Sequence, residues 1–381
     1  MAAYDDLKQE LIKYSEEIGI DKIGFTSADV FSELKARLEI QQEKGYQSGF
    51  EKGLIEERTE PVRLLPGAES IVSIALAYPS RMKNPPKSKK GERRGMFARA
   101  SWGEDYHLVL KEKLNLLATF LSERVEGFSA KIMVDTGELS DRAVAERAGV
   151  GFSGKNCAII TPEFGSYVYL GEMIINIPFT PDEPIDDGCG ECTKCIDACP
   201  TGALVGPGQL NAQQCMAFLT QTKGYMPEEH RDKLGNIIYG YDTCQVVCPY
   251  NKGIDSHQHE EFEPDPDLVK PPLIEFLSIS NREFKEKFGY MAGSWRGKKP
   301  LQRNAILALA HYKEKSAVPA LIDVLTQDPR PVLRGTAGWA LGKIGTEEAF
   351  QALQKAVEKE EDVQALEEIN KGLQFFDNNF M

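Results

Sequence analysis

A run of cysteines constrains this chain more than any other feature. From Cys189 it reads CGECTKCIDACPTGAL, which sets Cys189, Cys192, Cys195 and Cys199 at C-x2-C-x2-C-x3-C-P spacing. That is the bacterial ferredoxin spacing for a 4Fe-4S cluster: three thiolates grip one cubane, and the fourth, set apart by the longer gap and the proline, ligates a second cluster. A second half-site is therefore required. It is visible as CQVVCP, with Cys244 and Cys248 ahead of Pro249 and Cys215 as an outlying ligand. Counting ligands assigns Cys189, Cys192, Cys195 and Cys248 to the first cluster and Cys199, Cys215 and Cys244 to the second. The second is one ligand short, because Tyr241 stands three residues before Cys244, where the spacing expects a Cys. A phenolate, a water, Cys157 folding back or an incomplete 3Fe cluster are the alternatives for the gap. Cys157, in the apolar stretch NCAIITP, has the competing reading of a buried core thiol. Zinc is the rival metal, but zinc sites usually pair two Cys-x2-Cys knuckles, so the trailing proline and the Cys-x3-Cys-Pro favour iron.

Seven of the eight cysteines fall within the 60 positions 189–248 of a 381-residue chain, which marks a ligand cluster rather than scattered disulfides. The polar start MAAYDDLKQE has no apolar signal core, so a cytoplasmic protein is expected. The longest apolar stretch, Ile71 to Tyr78, is far below the roughly 20 residues that cross a bilayer. No membrane association is expected.

At about 150 residues per domain the length suggests two to three domains. Residues 4–18 read as an amphipathic helix stopped at Gly19, followed by a strand from Lys22 to Thr26. SIVSIALAYP, Ser70 to Pro79, is a buried strand, and a helix recurs around Glu104 to Arg124. MVDTGELSDRAVAERAGVGFSGKN turns from a strand into a helix ending near Gly149, and CAIITP and SYVYLGEMIINI alternate as paired strands. PDEPIDDG is an acidic, Pro-rich connector into the cluster region. Farther on, ALAHYKEKSAVPAL, Ala308 to Leu321, matches ALGKIGTEEAFQAL, Ala340 to Leu353, at a shift of 32. That is the period of stacked helix pairs, which either present a surface to a partner or cap the neighbouring domain. The expected fold class is α+β. An N-terminal α/β domain covers 1–180, a ferredoxin-like two-cluster 4Fe-4S domain 181–255, a connector 256–285, and HEAT-like α-helical repeats 286–381.

The net charge of −13 argues against a uniformly basic nucleic-acid binder. Two local clusters run the other way. Residues 81–99 carry eight Lys or Arg against Glu92, and residues 282–303 carry seven against two, including SWRGKKPLQRN with Trp295 beside Arg296. The functional reading is phosphate binding with a stacking face. The competing reading is a solvated loop for the first and a helix entry for the second.

VDTGELSDRAVAERAGVGFSGKN, the CGECTKCIDACPTGAL run, CQVVCP and WRGKKPLQRNAILALA occur in one chain in this order. With them the sequence resembles the epoxyqueuosine reductases over nearly its whole length. The resemblance implies a cobalamin-dependent iron-sulfur enzyme, related to reductive dehalogenases, that removes the epoxide oxygen of epoxyqueuosine at the tRNA wobble base to give queuosine. It implies two 4Fe-4S clusters, an external low-potential electron donor, the tRNA anticodon arm as partner, and a monomer. Cobalamin would be held by the N-terminal domain without a lower His ligand. The chain agrees, since Asp105-Tyr106-His107 is followed by Leu108, Val109 and Leu110 and not by the His-bearing D-x-H-x-x-G signature.

The resemblance places the proton donor at Asp135 and the cobalamin pocket at Arg58, Ala98, Asp135, Ser153, Lys155 and Asn156, with Tyr106 and His107 nearby. Ala98 stands where some relatives have a Cys, so a thiol over the cobalt is not essential here. Chemistry argues for the acid as well: opening an epoxide leaves an alkoxide that needs a proton, and a carboxyl raised in pKa by burial would supply it. The alternative is structural, because Asp135 and Glu138 have capping-box spacing and Asp135 would then merely start the following helix. Two rival functions are a cobalamin reductase of a small substrate, which leaves the repeats and basic clusters unexplained, and a two-cluster electron carrier.

Overall fold

The computed structural model describes residues 4–377, which form two compact units interleaved along the chain. The first is built from residues 4–81, from Glu104–Cys215 and from Asp242–Glu263; the second from Met82–Gly103, Met216–Tyr241 and residues 264–377. These units cut across the linear boundaries expected from composition. The loop 82–103 and the segment 216–241 leave the N-terminal and cluster regions to join the helical repeats.

The first unit is organised by an antiparallel sheet of β1 (Lys22–Ser27), β2 (Ser70–Ala77), β3 (Ala130–Met133) and β4 (Val168–Ile175) in the order β1-β2-β4-β3. Every residue of β2 is buried, because both faces of the sheet are covered. That is why its sequence reads as a continuous apolar run instead of alternating. Val72, Ile74 and Leu76 pack with Leu11 of α1 (Asp5–Glu17) and with Leu110, Leu114, Leu117 and Leu121 of α2 (Tyr106–Ser122). Ile71 and Ala75 face the other way, toward Val144 and Ala145 of α3 (Asp141–Arg147). The two expected helices and the first two strands lie where periodicity placed them. The expected pairing of CAIITP with SYVYLGEMIINI does not form: Ile159–Ile160 pairs with Phe152–Ser153, while β4 is taken up between β2 and β3. Period-2 alternation marks a strand without choosing its partner.

The second unit stacks α4 (Lys298–His311), α5 (Val318–Gln327), α6 (Pro331–Ile344), α7 (Glu347–Val357) and α8 (Val363–Asp377). The matching segments 308–321 and 340–353 are the ends of α4 and α6 with the turns and starts that follow, so the repeat is a helix pair. Helices α6 and α8 approach so closely that a Cβ at Gly342 would lie 2.1 Å from the Gly372 carbonyl oxygen. The strand pair Met96–Phe97 and Ile237–Tyr239 brings the two recruited segments together. Gly240, at φ +68°, leaves room for the Ala98 methyl group, which a Cβ there would meet at 2.4 Å.

The basic run WRGKKPLQRN proves largely structural at its C-terminal end. Arg303 is fully buried and donates to the carbonyls of Leu219, Thr222 and Gly224 at 2.6, 2.9 and 2.6 Å. Asn304 donates to Thr220 and Ile238, each at 2.8 Å. Together they fasten the segment 216–241 onto α4. Lys298 donates to the Ile279 carbonyl. The helix-entry reading therefore holds for these residues, whereas Trp295 stays exposed with Arg296 4.8 Å over its ring.

In the other basic cluster Arg93, Arg94 and Lys89 pair with Glu314, Asp267 and Glu92, while Lys83, Lys87 and Lys90 are exposed on the loop 82–103, as is Arg81 just before it. No helix among the described residues is long and apolar enough to cross a membrane.

Candidate active site and metal centre

The cysteines sit on short turns of the first unit. Lys194–Asp197 and Thr243–Val246 each form one helical turn, which brings thiols of neighbouring spacings to one side. Cys189, Cys192, Cys195 and Cys248 line a single cavity of about 340 Å³, together with Lys155, Asn156 and Tyr250. Among the described residues no three His, Cys, Asp or Glu side chains close around one metal ion. Four thiols around a cavity of this size fit a polynuclear cluster and do not fit a zinc knuckle.

Cys244 lies near Cys215, Cys195 and Cys199, and burial followed by the neighbouring thiols pushes its thiol up to about 12. A thiolate here needs a metal beside it. Cys157 is half-buried, at φ +63°, with Arg142 and Cys215 as its electrostatic neighbours. That places it beside one thiol of the second set. The ring of Tyr241 packs against the apolar core of the second unit, which accounts for an aromatic residue at this position.

The loop 153–157 ties the two sets of cysteines to the rest of the unit. The backbone N–H of Ser153 donates to the Glu146 carboxylate at 3.3 Å. The backbone N–H of Lys155 donates to Cys189 Sγ at 3.5 Å, and its ammonium donates to the Gly190 carbonyl. Asn156 donates from Nδ2 to the Cys244 carbonyl at 3.4 Å. One short loop thus contacts residues of both half-sites.

Asp135 follows β3 at φ +51°, its N–H donating to Asp141 Oδ2 at 2.7 Å. Helix α3 begins only at Asp141, with Ser140 at its N-cap, so Asp135 lies six residues ahead and the capping reading fails. Glu138, the supposed capping partner, pairs instead with Lys52 and Lys131, and Lys52 above all holds it down to about 2.

His107 stands at the start of α2, where its Nδ1 meets the Asp105 carboxylate at 2.6 Å and its Nε2 lies 3.3 Å from Asp135 Oδ2. Burial alone would lower its pKa, but the two carboxylates outweigh it and raise His107 to about 9. Tyr106 stacks on the imidazole, centroids 4.2 Å apart.

The expectation of a burial-raised Asp135 is corrected. His107 beside it outweighs partial burial and holds the Asp135 carboxyl below its usual range. The side chain is 60% exposed, so the proton of this pair resides on the imidazolium.

Arg142 is the residue the sequence reading missed. It is an electrostatic neighbour of Asp135, Arg58 and Cys157 alike and donates to the Cys157 carbonyl. Its only signal was its place in the first turn of the helix after Asp135. Arg58, on the short helix Ile55–Thr59, is half-buried, and burial lowers its pKa despite Glu51. Two guanidiniums in one neighbourhood suit an anionic group of a large ligand. The structure thus gathers Arg58, Asp135, Ser153, Lys155 and Asn156 in the first unit, whereas Ala98 belongs to the second.

Two sets of ferredoxin-spaced thiols in the same unit as a His–Asp pair that holds a proton define an iron-sulfur oxidoreductase. The chain is 67% identical over 371 residues to an epoxyqueuosine reductase of Bacillus cereus, with 97% of this chain and 98% of the relative covered. It belongs to the epoxyqueuosine reductase family.

A relative from Bacillus subtilis is 66% identical over 368 residues, covering 97% of this chain and 95% of the relative. Family models match in three places: epoxyqueuosine reductase QueG, DUF1730, over residues 58–136, a 4Fe-4S double cluster binding domain over 188–251, and HEAT repeats over 296–370. Among solved structures, an epoxyqueuosine reductase with an epoxyqueuosine-modified tRNA-Tyr stem loop superposes with a TM-score of 0.96 at 64% identity, covering 98% of this chain and 99% of that one.

Proposed function

We propose that this chain reduces the epoxide of epoxyqueuosine in tRNA to the alkene of queuosine. Asp135 serves as the acid, and a corrinoid and two 4Fe-4S clusters serve as cofactors. The observation that carries the reading is the His107–Asp135 pair, which stores a proton at neutral pH and is linked through Arg142 to the loop that contacts both cysteine sets. Cys189, Cys192, Cys195 and Cys248 would hold the first cluster and Cys199, Cys215 and Cys244 the second. Arg58, Ser153, Lys155, Asn156 and Asp135 of the first unit would line the corrinoid. When bound, these groups supply low-potential electrons and a reducing metal centre at the epoxide carbon.

Removing the epoxide oxygen as water takes two electrons and two protons and leaves a carbon–carbon double bond. Asp135, charged in the resting state, carries protons from His107 to the oxygen, so that alkoxide never accumulates. Asp105 and the stacked Tyr106 fix the imidazole so that Nε2 faces Asp135. The Lys155 N–H on Cys189 Sγ adds a hydrogen bond to a cluster sulfur, one of the levers that set cluster potential.

The solved relative bearing a modified stem loop supports tRNA as the substrate. Lys83, Lys87 and Lys90, with Trp295 and Arg296, supply phosphate-binding and stacking groups. The electrons come from an external low-potential donor, and the enzyme works as a monomer in the cytoplasm. The test is anaerobic incubation with cobalamin, a strong reductant and epoxyqueuosine-containing tRNA, followed by nucleoside mass analysis. Queuosine should accumulate with the wild type and not with Asp135→Asn, while both proteins keep the same iron content. Full activity in the variant would reject the acid.

A further inference from the structure

Behind the Asp135 loop lies a second pair of carboxyl groups that the reaction as described does not use. Glu172 sits in the middle of β4, 1% exposed, between Ser73 of β2 and Met133 of β3 in the register of the sheet. Alternation along β4 puts it on the same face as Ile174, the face covered by α3. Asp141, the first residue of α3, lies there against it. Neither Glu172 oxygen has a hydrogen-bond partner apart from that carboxyl.

Carboxylates accept hydrogen bonds and do not donate them, so two of them meet favourably only when one keeps its proton. The groups facing the pair give no counter-charge: Asp141 sees Asp135 and Glu172, and Glu172 sees Asp141 and Asp135. Burial, then the like charge of Asp135, raises Asp141 to about 6, and burial, then Asp141, raises Glu172 well above its usual range. The cation of the site, Arg142, and the donors His107 and Tyr106 face Asp135 itself. Asp141 in turn accepts the Asp135 N–H at 2.7 Å, and that bond holds a non-glycine residue at φ +51°. Left-handed backbone persists at such a residue only where its surroundings impose it.

We propose that Asp141 and Glu172 are a positioning pair that shares one buried proton and thereby pins the Asp135 loop in its working conformation. The role rests on the reading of Asp135 as the acid; the shared proton and the pinned amide do not. With the proton in place, Glu172 donates to Asp141 and Asp141 accepts the Asp135 amide. Once the proton is lost, two uncompensated charges lie under a third, and the loop is released.

Two readouts test the pair in the full-length protein without reference to turnover. The infrared carbonyl band of a protonated carboxyl should be present at neutral pH in the wild type and in Asp135→Asn, and lost in the near-isosteric Glu172→Gln. Hydrogen exchange at the Asp135 amide should accelerate about tenfold or more in Asp141→Ala, as expected for loss of one hydrogen bond to a charged group. In the same variant kcat for tRNA reduction should fall by a similar factor with KM little changed. A missing band in the wild type, a band that survives Glu172→Gln, or unchanged exchange at Asp135 would each overturn the proposal. Full turnover in Asp135→Asn would instead sink the acid assignment and leave band and exchange as they are.

Discussion

At the scale of single residues, the chemistry turns on where one proton sits. Asp135 is charged because His107 is protonated, and His107 is protonated because two carboxylates outweigh its burial. Turnover should therefore fall on the alkaline side as pH passes about 9, and in His107→Gln that limb should disappear together with most of the rate. Stability follows with a defined sign. A histidine whose pKa rises from 6.5 to about 9 on folding contributes fully below pH 6.5 and loses that contribution as pH rises through 9, at most roughly 3 kcal/mol. Melting temperature measured from pH 6.5 to 9.5 should drop more steeply in the wild type than in His107→Gln; parallel curves would contradict the ion pair. Cys248→Ala should cost the first cluster, read as a drop in bound iron to about half in the reconstituted protein.

At the scale of elements, close approach decides more than propensity. Alanine normally favours a helix over glycine by about 1 kcal/mol, yet Gly342→Ala would drive a methyl group to 2.1 Å from the Gly372 carbonyl oxygen. Overpacking against backbone should win, for a net loss of about 2 kcal/mol in chemical denaturation. A neutral or stabilised variant would mean that α6 and α8 separate freely. Arg303 is a larger case. Replacing it with Met should strand the carbonyls of Leu219, Thr222 and Gly224 and lower stability by about 3 kcal/mol, with early unfolding of the segment 216–241 by hydrogen exchange. Sequence periodicity found three helices of the first unit and its strands β1, β2 and β4, but it missed the helix Ser32–Glu43 and began the third strand at Met133, where β3 ends. It misplaced the partner of CAIITP, since a two-residue period is the same whichever neighbour the strand takes. An acid inside the apolar VYLGEMII was a visible anomaly, but only the register set Ser73 and Met133 beside Glu172 and α3 over it.

At the scale of the molecule, the exposed lysines of the loop 82–103 are the groups that electrostatics singles out for contact with tRNA. If Lys83, Lys87 and Lys90 contact tRNA phosphates, charge reversal at all three should weaken tRNA binding about equally for modified and unmodified stem loops and flatten its salt dependence by about three in the log–log slope. An unchanged slope would assign the loop to solvent. The chain order alone determined that residues 188–251 form a 4Fe-4S double-cluster domain, because ferredoxin spacing is a local constraint on how thiols meet a cubane. It also determined the repeat, because stacking helices must recur at a fixed period. Tertiary structure decided the rest. It showed that Asp135 is an exposed, charged partner of His107 and not a buried acid, that the buried acids are Asp141 and Glu172, and that Arg303 is a clamp and not a phosphate ligand. The physical reason is that a residue's charge state and role depend on which distant groups share its surroundings, and no local pattern carries that information.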